Sequence, residues 1–181
     1  MRCPLHGSGA DPTRLVGRAV EKVVASWHVS DGERSELPLD VWLTDSEGEI
    51  TRITTGSDHC LIVECAPPHE PYDLGEWGRV EVGEDLGDHP FLRHLGETVA
   101  SVAEFALPDH GRSRLEIVFP AGRVICDCHE GDLRLTRAPA QGVPAQGVTH
   151  GPAQPSAVSQ SSIPASSFVR TSSGAAEPRT D

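Results

Sequence analysis

Leu39 to Glu64, LDVWLTDSEGEITRITTGSDHCLIVE, decides the fold, because its layout returns in shortened form from Arg114 to Arg137, RLEIVFPAGRVICDCHEGDLRLTR. In each copy an apolar strand runs into a Gly-containing turn and a second strand follows. A short acidic link with a glycine, Gly56-Ser57-Asp58 or Glu130-Gly131-Asp132, then leads to a third. Leu39, Val41 and Leu43 alternate with period two, which puts them on one face of a strand and Trp42 on the other. Leu115, Ile117 and Phe119 do the same in the second copy.

The repeat extends upstream. Gly17 to Trp27 and Gly96 to Ala106 both open on glycine, place valines at matching positions (Val20 and Val23, Val99 and Val102) and end on or beside an aromatic. Each half therefore reads as strand, loop, strand, turn, strand, turn, strand. Two copies are too few for a solenoid, and four strands alone bury too little apolar surface to be stable. The sequence predicts an all-β fold: an antiparallel sandwich or flattened barrel built from two quasi-repeats of about four strands, with one short helix.

The domain boundaries follow from composition. Residues 1–16 read as a flexible N-terminal arm and residues 17–137 as a single β domain. Its half-repeats span 17–65 and 96–137, joined by an acidic connector, 66–95. In that connector Pro67, Pro68 and Pro71 remove ladder donors, so Ala66 to Tyr72 cannot lie inside a sheet, whereas Arg79 to Val82 reads as a short edge strand with Val80 and Val82 facing inward. Asp88 to Gly96 carries the marks of a short helix, with Asp88 as N-cap, Pro90 in the first turn and Phe91, Leu92 and Leu95 covering one end of the core. Beyond Arg137 the chain turns to Ala, Pro, Gln, Gly and Ser, so residues 138–181 read as a disordered tail.

Charge narrows the partners. The whole chain carries a net −12. The tail is neutral and the first sixteen residues sum to +1, so residues 17–137 hold −13. Such a surface repels nucleic-acid phosphates and anionic membranes. No run approaches the roughly 18 apolar residues that a bilayer requires, and no secretory signal follows Met1. The expected location is the cytoplasm.

The chemistry-bearing types are present without the patterns that chemistry needs. Cys126, Cys128 and His129 come nearest to a ligand set. Zinc pairs are usually separated by two to four residues, however, and strand alternation turns His129 away from the cysteines. No metal and no cofactor are predicted, and the cysteines read as buried thiols of a reducing compartment. Asp58 and His59 are adjacent and so point to opposite faces, no nucleophile elbow is present, and the glycine-rich turns lack the helix and lysine of a phosphate loop. No catalytic residue is assigned.

The connector is the best candidate surface. Glu70, Tyr72, Asp73, Glu76, Trp77, Glu81, Glu84 and Asp85 set aromatics among carboxylates, with Arg79 the sole opposing charge between Glu64 and Asp88. Aromatics inside a charged rim are the composition of binding hot spots, and complementary charge speeds capture of a basic protein. The alternative is a small-molecule or hydrolytic pocket between the halves, near His59, Glu64 and His129.

Several stretches, Gly17-x-x-Val20, Asp40-Val41-Trp42-Leu43, Thr55 to Glu64, Phe119 to Val124 and Gly131 to Leu135, resemble a group of small all-β proteins of high-GC actinobacteria. Some proteins of similar size and character act as immunity proteins that neutralise a toxin. The resemblance implies an all-β fold and tints the functional expectation towards a non-enzymatic, toxin-neutralising interaction domain.

Overall fold

A computed structural model describes residues 9–84, 89–107 and 111–139. The first sheet contains β1 (Val20–Ser30), β2 (Glu33–Arg34), β3 (Asp40–Asp45), β4 (Ile50–Thr55), β5 (Leu61–Glu64), β6 (Tyr72–Asp73) and β7 (Arg79–Gly83), in the order β5-β4-β3-β1-β7-β6 with β2 paired to β1. The second contains β8 (Ser101–Leu107), β9 (Gly111–Phe119), β10 (Gly122–His129) and β11 (Asp132–Ala138), in the order β11-β10-β9-β8. All the pairings are antiparallel.

The quasi-repeat is present as topology. β1, β3, β4 and β5 form one four-stranded meander, and β8 to β11 form the other. Their opening segments meet: Val99 N donates to Arg18 O at 2.9 Å and Val20 N to Glu97 O at 3.1 Å, around a bridge between Ala19 and Thr98. When Gly17 is matched to Gly96, Ala19 and Thr98 are counterparts. The bridge therefore joins one position to its own repeat, as a local twofold axis requires. One residue later Ala100 N reaches Val118 O at 2.8 Å, so the chain passes from one sheet to the other in a single extended run.

The core lies between the sheets. Val23, Ala25, Trp27, Val41, Leu43, Ile53, Leu61 and Val63 come from the first, and Leu115, Ile117, Phe119, Val124, Cys126 and Leu133 from the second, all buried. Burial of this kind is the main driving force for folding, at about 25 cal/mol per Å² of apolar surface.

Two local features differ from the sequence reading. Residues 9–16, expected as part of a loose arm, are docked: Leu15 is wholly buried in the core, Ala10 N donates to Val63 O at 2.6 Å, and Arg14 reaches Ile50 O at 2.7 Å. One inserted leucine gives this stretch a reason to order that its Gly and Pro content conceals. The short helix is a 3₁₀ turn, Pro90–His94, preceded by His89 in the cap position. Because 3₁₀ geometry repeats every three residues, Phe91 and His94 share the buried face and Leu95 turns outward. Asp88 lies outside the described residues, as does the tail from residue 140.

Trp42 does face away from Leu43, yet it is 1 % exposed. The outer face of the first sheet has its own cover, which carries the candidate site.

Candidate functional site

The cover is the proline-rich connector. The His69 ring meets Trp42 edge-on with centroids 5.2 Å apart, and Tyr72 packs on His69 at 5.3 Å. Below them Asp40, Trp42, Arg52, Glu64 and Ser26 share one face through the registers Trp42↔Arg52, Arg52↔Glu64 and Ser26↔Asp40. Ser26 Oγ donates to Asp40 Oδ2 at 2.7 Å, and Arg52 Nε and Nη2 donate to Asp40 Oδ1 at 2.9 and 2.7 Å. Arg52 Nη1 reaches Glu64 Oε1 at 2.6 Å, and its guanidinium lies over Trp42. Burial by itself raises the Asp40 pKa, but the Ser26 hydroxyl and the Arg52 hydrogen bonds and charge outweigh it and hold the carboxyl below its ordinary range. His69 closes the network, with Nε2 3.3 Å from Asp40 Oδ2 and Nδ1 2.9 Å from the Glu70 carbonyl.

Anchored there, the connector continues as a hairpin along the edge of the sheet. β6 pairs with β7, and β7 pairs with β1 through His28↔Val80 and Ser26↔Val82. This register places Val80 and Val82 on the outer face, opposite to the inward expectation, where Val80 is buried. The tip is a tight turn. Asp73 Oδ1 accepts from Gly75 N at 2.7 Å, Leu74 N donates to Gly78 O at 2.8 Å, and the His28 ring Nε2 donates to Trp77 O at 2.5 Å. Gly78 has φ +96°, and a Cβ there would stand 2.1 Å from Val29 O, so only glycine lets the tip approach β1.

Trp77 is therefore presented by a fixed backbone and is 72 % exposed. Tyr72 and Leu74 are exposed beside it. Glu70 and Glu76 are exposed without an ion-pair partner among the described residues, and Asp73 is exposed while capping the turn. Two residues of the predicted surface are engaged internally. Glu81 pairs with Arg79 at 2.6 Å, and Glu84 with Lys22 at 2.5 Å. Asp85 lies outside the described residues. Leu74 escaped the sequence reading because a lone leucine among charges carries no pattern.

No family model, curated protein or solved structure matches this chain.

The other chemistry-bearing residues are not brought together. Cys126 is fully buried in the core, and burial, with Asp127 adding to it, pushes its thiol far above the ordinary value. Cys128 shifts the same way through burial and the nearby Asp132, Asp127 and Asp58, against a hydrogen bond to the Gly131 backbone. His129 is exposed at the end of β10. Among the described residues no three His, Cys, Asp or Glu side chains gather as a metal site. His59, at φ +61°, lies against Gly131 in the turn that precedes His129's neighbour strand, whereas Glu64 is tied to Arg52 on the outer face. These three do not share a pocket. Among the described residues no helix is long and apolar enough to cross a membrane.

Proposed function

We propose that this protein is a non-enzymatic interaction domain that captures a basic protein through the tip of the β6–β7 hairpin, in the manner of a toxin-neutralising immunity protein. The observation that carries the reading is Trp77, a large apolar side chain held in solvent by an anchored turn, with Asp73 and Glu76 in the same turn and Glu70 exposed just before β6. A rigid backbone lowers the ordering entropy of binding, and aromatic anchors dominate interface energetics. The four described cysteines are free thiols, in keeping with a reducing compartment such as the cytoplasm.

The test is a photoreactive residue at position 77 in the native host, followed by calorimetry with the captured protein. Trp77→Ala is expected to weaken binding by about thirtyfold, the loss of a hot spot worth about 2 kcal/mol. Glu70→Lys combined with Glu76→Lys is expected to slow association and remove most of its salt dependence. Unchanged affinity in both variants would exclude this surface.

A second reading, a small-molecule site between the halves, is supported by a cleft of about 180 Å³ where Trp27 of the first sheet faces Leu135 of the second. Arg34 lies 5.3 Å over the Trp27 ring at its rim. A ligand there changes Trp27 emission in the Trp77→Phe background, and binding at the hairpin does not.

A further inference from the structure

Among the described residues the two sheets end on β5, β6, β11 and β8. The first three edges are shielded. β5 is met from outside by the N-terminal stretch, with Ala10 N donating to Val63 O at 2.6 Å. β6 has two residues, too short a run to template a partner. β11 carries Asp132, Arg134 and Arg137, and charge along an edge opposes pairing.

β8, Ser101-Val102-Ala103-Glu104-Phe105-Ala106-Leu107, has none of these devices. It pairs with β9, and no strand lies beyond it among the described residues. It is seven residues long and holds neither proline nor lysine. Its one charge, Glu104, is matched within the sheet by Arg112 Nε at 2.5 Å. The register passes from Phe105↔Arg114 to Ala106↔Arg112, so the extra residue of the bulge is Ser113 on β9 and β8 itself stays regular. Ser113 Oγ donates to Phe105 O at 3.3 Å, which aims the peptide groups of Phe105 at β9. These groups alternate along a strand, so those of Glu104 and Ala106 face away from the sheet. On the outer face beside them Phe105 and Leu107 are 47 % and 56 % exposed. A long, regular and mostly apolar edge of this kind is a site of strand addition.

Charge selects the occupant. Over β8 and β9 Glu104 and Glu116 balance Arg112 and Arg114, so these two strands are neutral in a chain of net −12. A basic partner is drawn to the hairpin tip instead, and an acidic one is repelled by the rest of the chain. A second copy meets no net charge here, and two identical strands placed antiparallel about a twofold axis are self-complementary.

We propose that the protein forms a homodimer by antiparallel pairing of β8 with β8 of a second copy, which joins two four-stranded sheets into one of eight strands. Phe105 stands opposite its own copy, Glu104 opposite Ala106, and Ala103 opposite Leu107. This register hydrogen-bonds the outward peptide groups of Glu104 and Ala106 and keeps the two carboxylates apart. It also brings the phenyl rings together at a non-hydrogen-bonded position, where facing strands come closest and aromatic pairs are most favourable. The hairpin that carries Trp77 belongs to the first sheet and takes no part in the pairing.

The experiment is sedimentation of the full-length chain from micromolar to near-millimolar concentration. The average mass is expected to rise from one chain to two and to stop there, as a closed twofold contact requires. Phe105→Lys combined with Leu107→Lys, exposed positions that leave the core intact, is expected to weaken dimerisation by about a hundredfold or more. Phe105→Cys is expected to join two chains on mild oxidation, since facing Cα atoms at such a position lie about 4.5 Å apart, within disulfide reach. Neither the wild type nor Glu104→Cys should do so. The proposal is overturned if the chain stays monomeric, if its mass climbs past two chains, if the double lysine variant dimerises as well as the wild type, or if Glu104→Cys cross-links in preference to Phe105→Cys. A monomer whose β8 amides are nonetheless protected from hydrogen exchange would give the edge to another occupant, and overturns it equally.

Discussion

The outer faces of the two sheets are built alike and finished differently. Each carries an arginine and carboxylate ladder across its strands: Asp40, Arg52 and Glu64 on the first sheet, and Arg114, Glu116, Arg123, Asp127 and Arg134 on the second. Each also sets one aromatic among the charges, Trp42 or Phe105, with a guanidinium against its ring. The connector crosses only the first sheet, so Trp42 is 1 % exposed and Phe105 is 47 % exposed. Both ladders keep a central carboxylate buried, Asp40 or Glu116, but only on the first face does the aromatic beside it lie under a cover. The difference lies in what the intervening chain does, since the meanders themselves are equivalent. On the first sheet the ladder holds the connector, and the connector holds the hairpin that presents Trp77.

Breaking this contrast begins at Trp42. Trp42→Ala removes the side chain on which His69 rests and is expected to destabilise the protein by about 3–5 kcal/mol in urea denaturation. A smaller effect is expected for Asp40→Asn, which leaves Arg52 and Ser26 beneath the cover without their carboxylate: about 2 kcal/mol at neutral pH. Because the folded pKa of Asp40 is depressed, its contribution is complete above the unfolded carboxylate value of about 4 and is lost as pH falls through the folded pKa. The wild-type stability curve should therefore drop more steeply below that value than the Asp40→Asn curve, and parallel curves would mean that the network contributes nothing. On the second sheet Glu116→Gln, which weakens pairs at 2.5 and 2.9 Å around a buried carboxylate, is expected to destabilise by about 1 kcal/mol because the amide oxygen still accepts from the arginines. Least of all, Phe105→Ser should change stability by about 0.5 kcal/mol. Equal losses at Trp42 and Phe105 would erase the distinction between the faces.

The meanders were legible because strand alternation and turn glycines are local signals. Leu115, Ile117 and Phe119 read as inward and are buried, and Gly17 and Gly96 marked two openings that pair with each other. The cover over Trp42 was not legible. Alternation says which face a residue takes, not whether another segment lies on that face, and the burial of Trp42 depends on His69, which is remote in sequence. Trp77 and its acidic neighbours stood out by composition, but the engagement of Glu81 by Arg79 and of Glu84 by Lys22 depends on edge geometry.

Acrylamide quenching of tryptophan emission tests the central claim most directly, since the chain has three tryptophans and the account leaves one of them in solvent. Trp27 and Trp42 are 3 % and 1 % exposed, against 72 % for Trp77. The Trp77→Phe variant is predicted to lose nearly all of the readily quenched emission while the remainder stays protected. If quenching persists at the wild-type level in that variant, the connector does not cover the first sheet and the hairpin is not held as described.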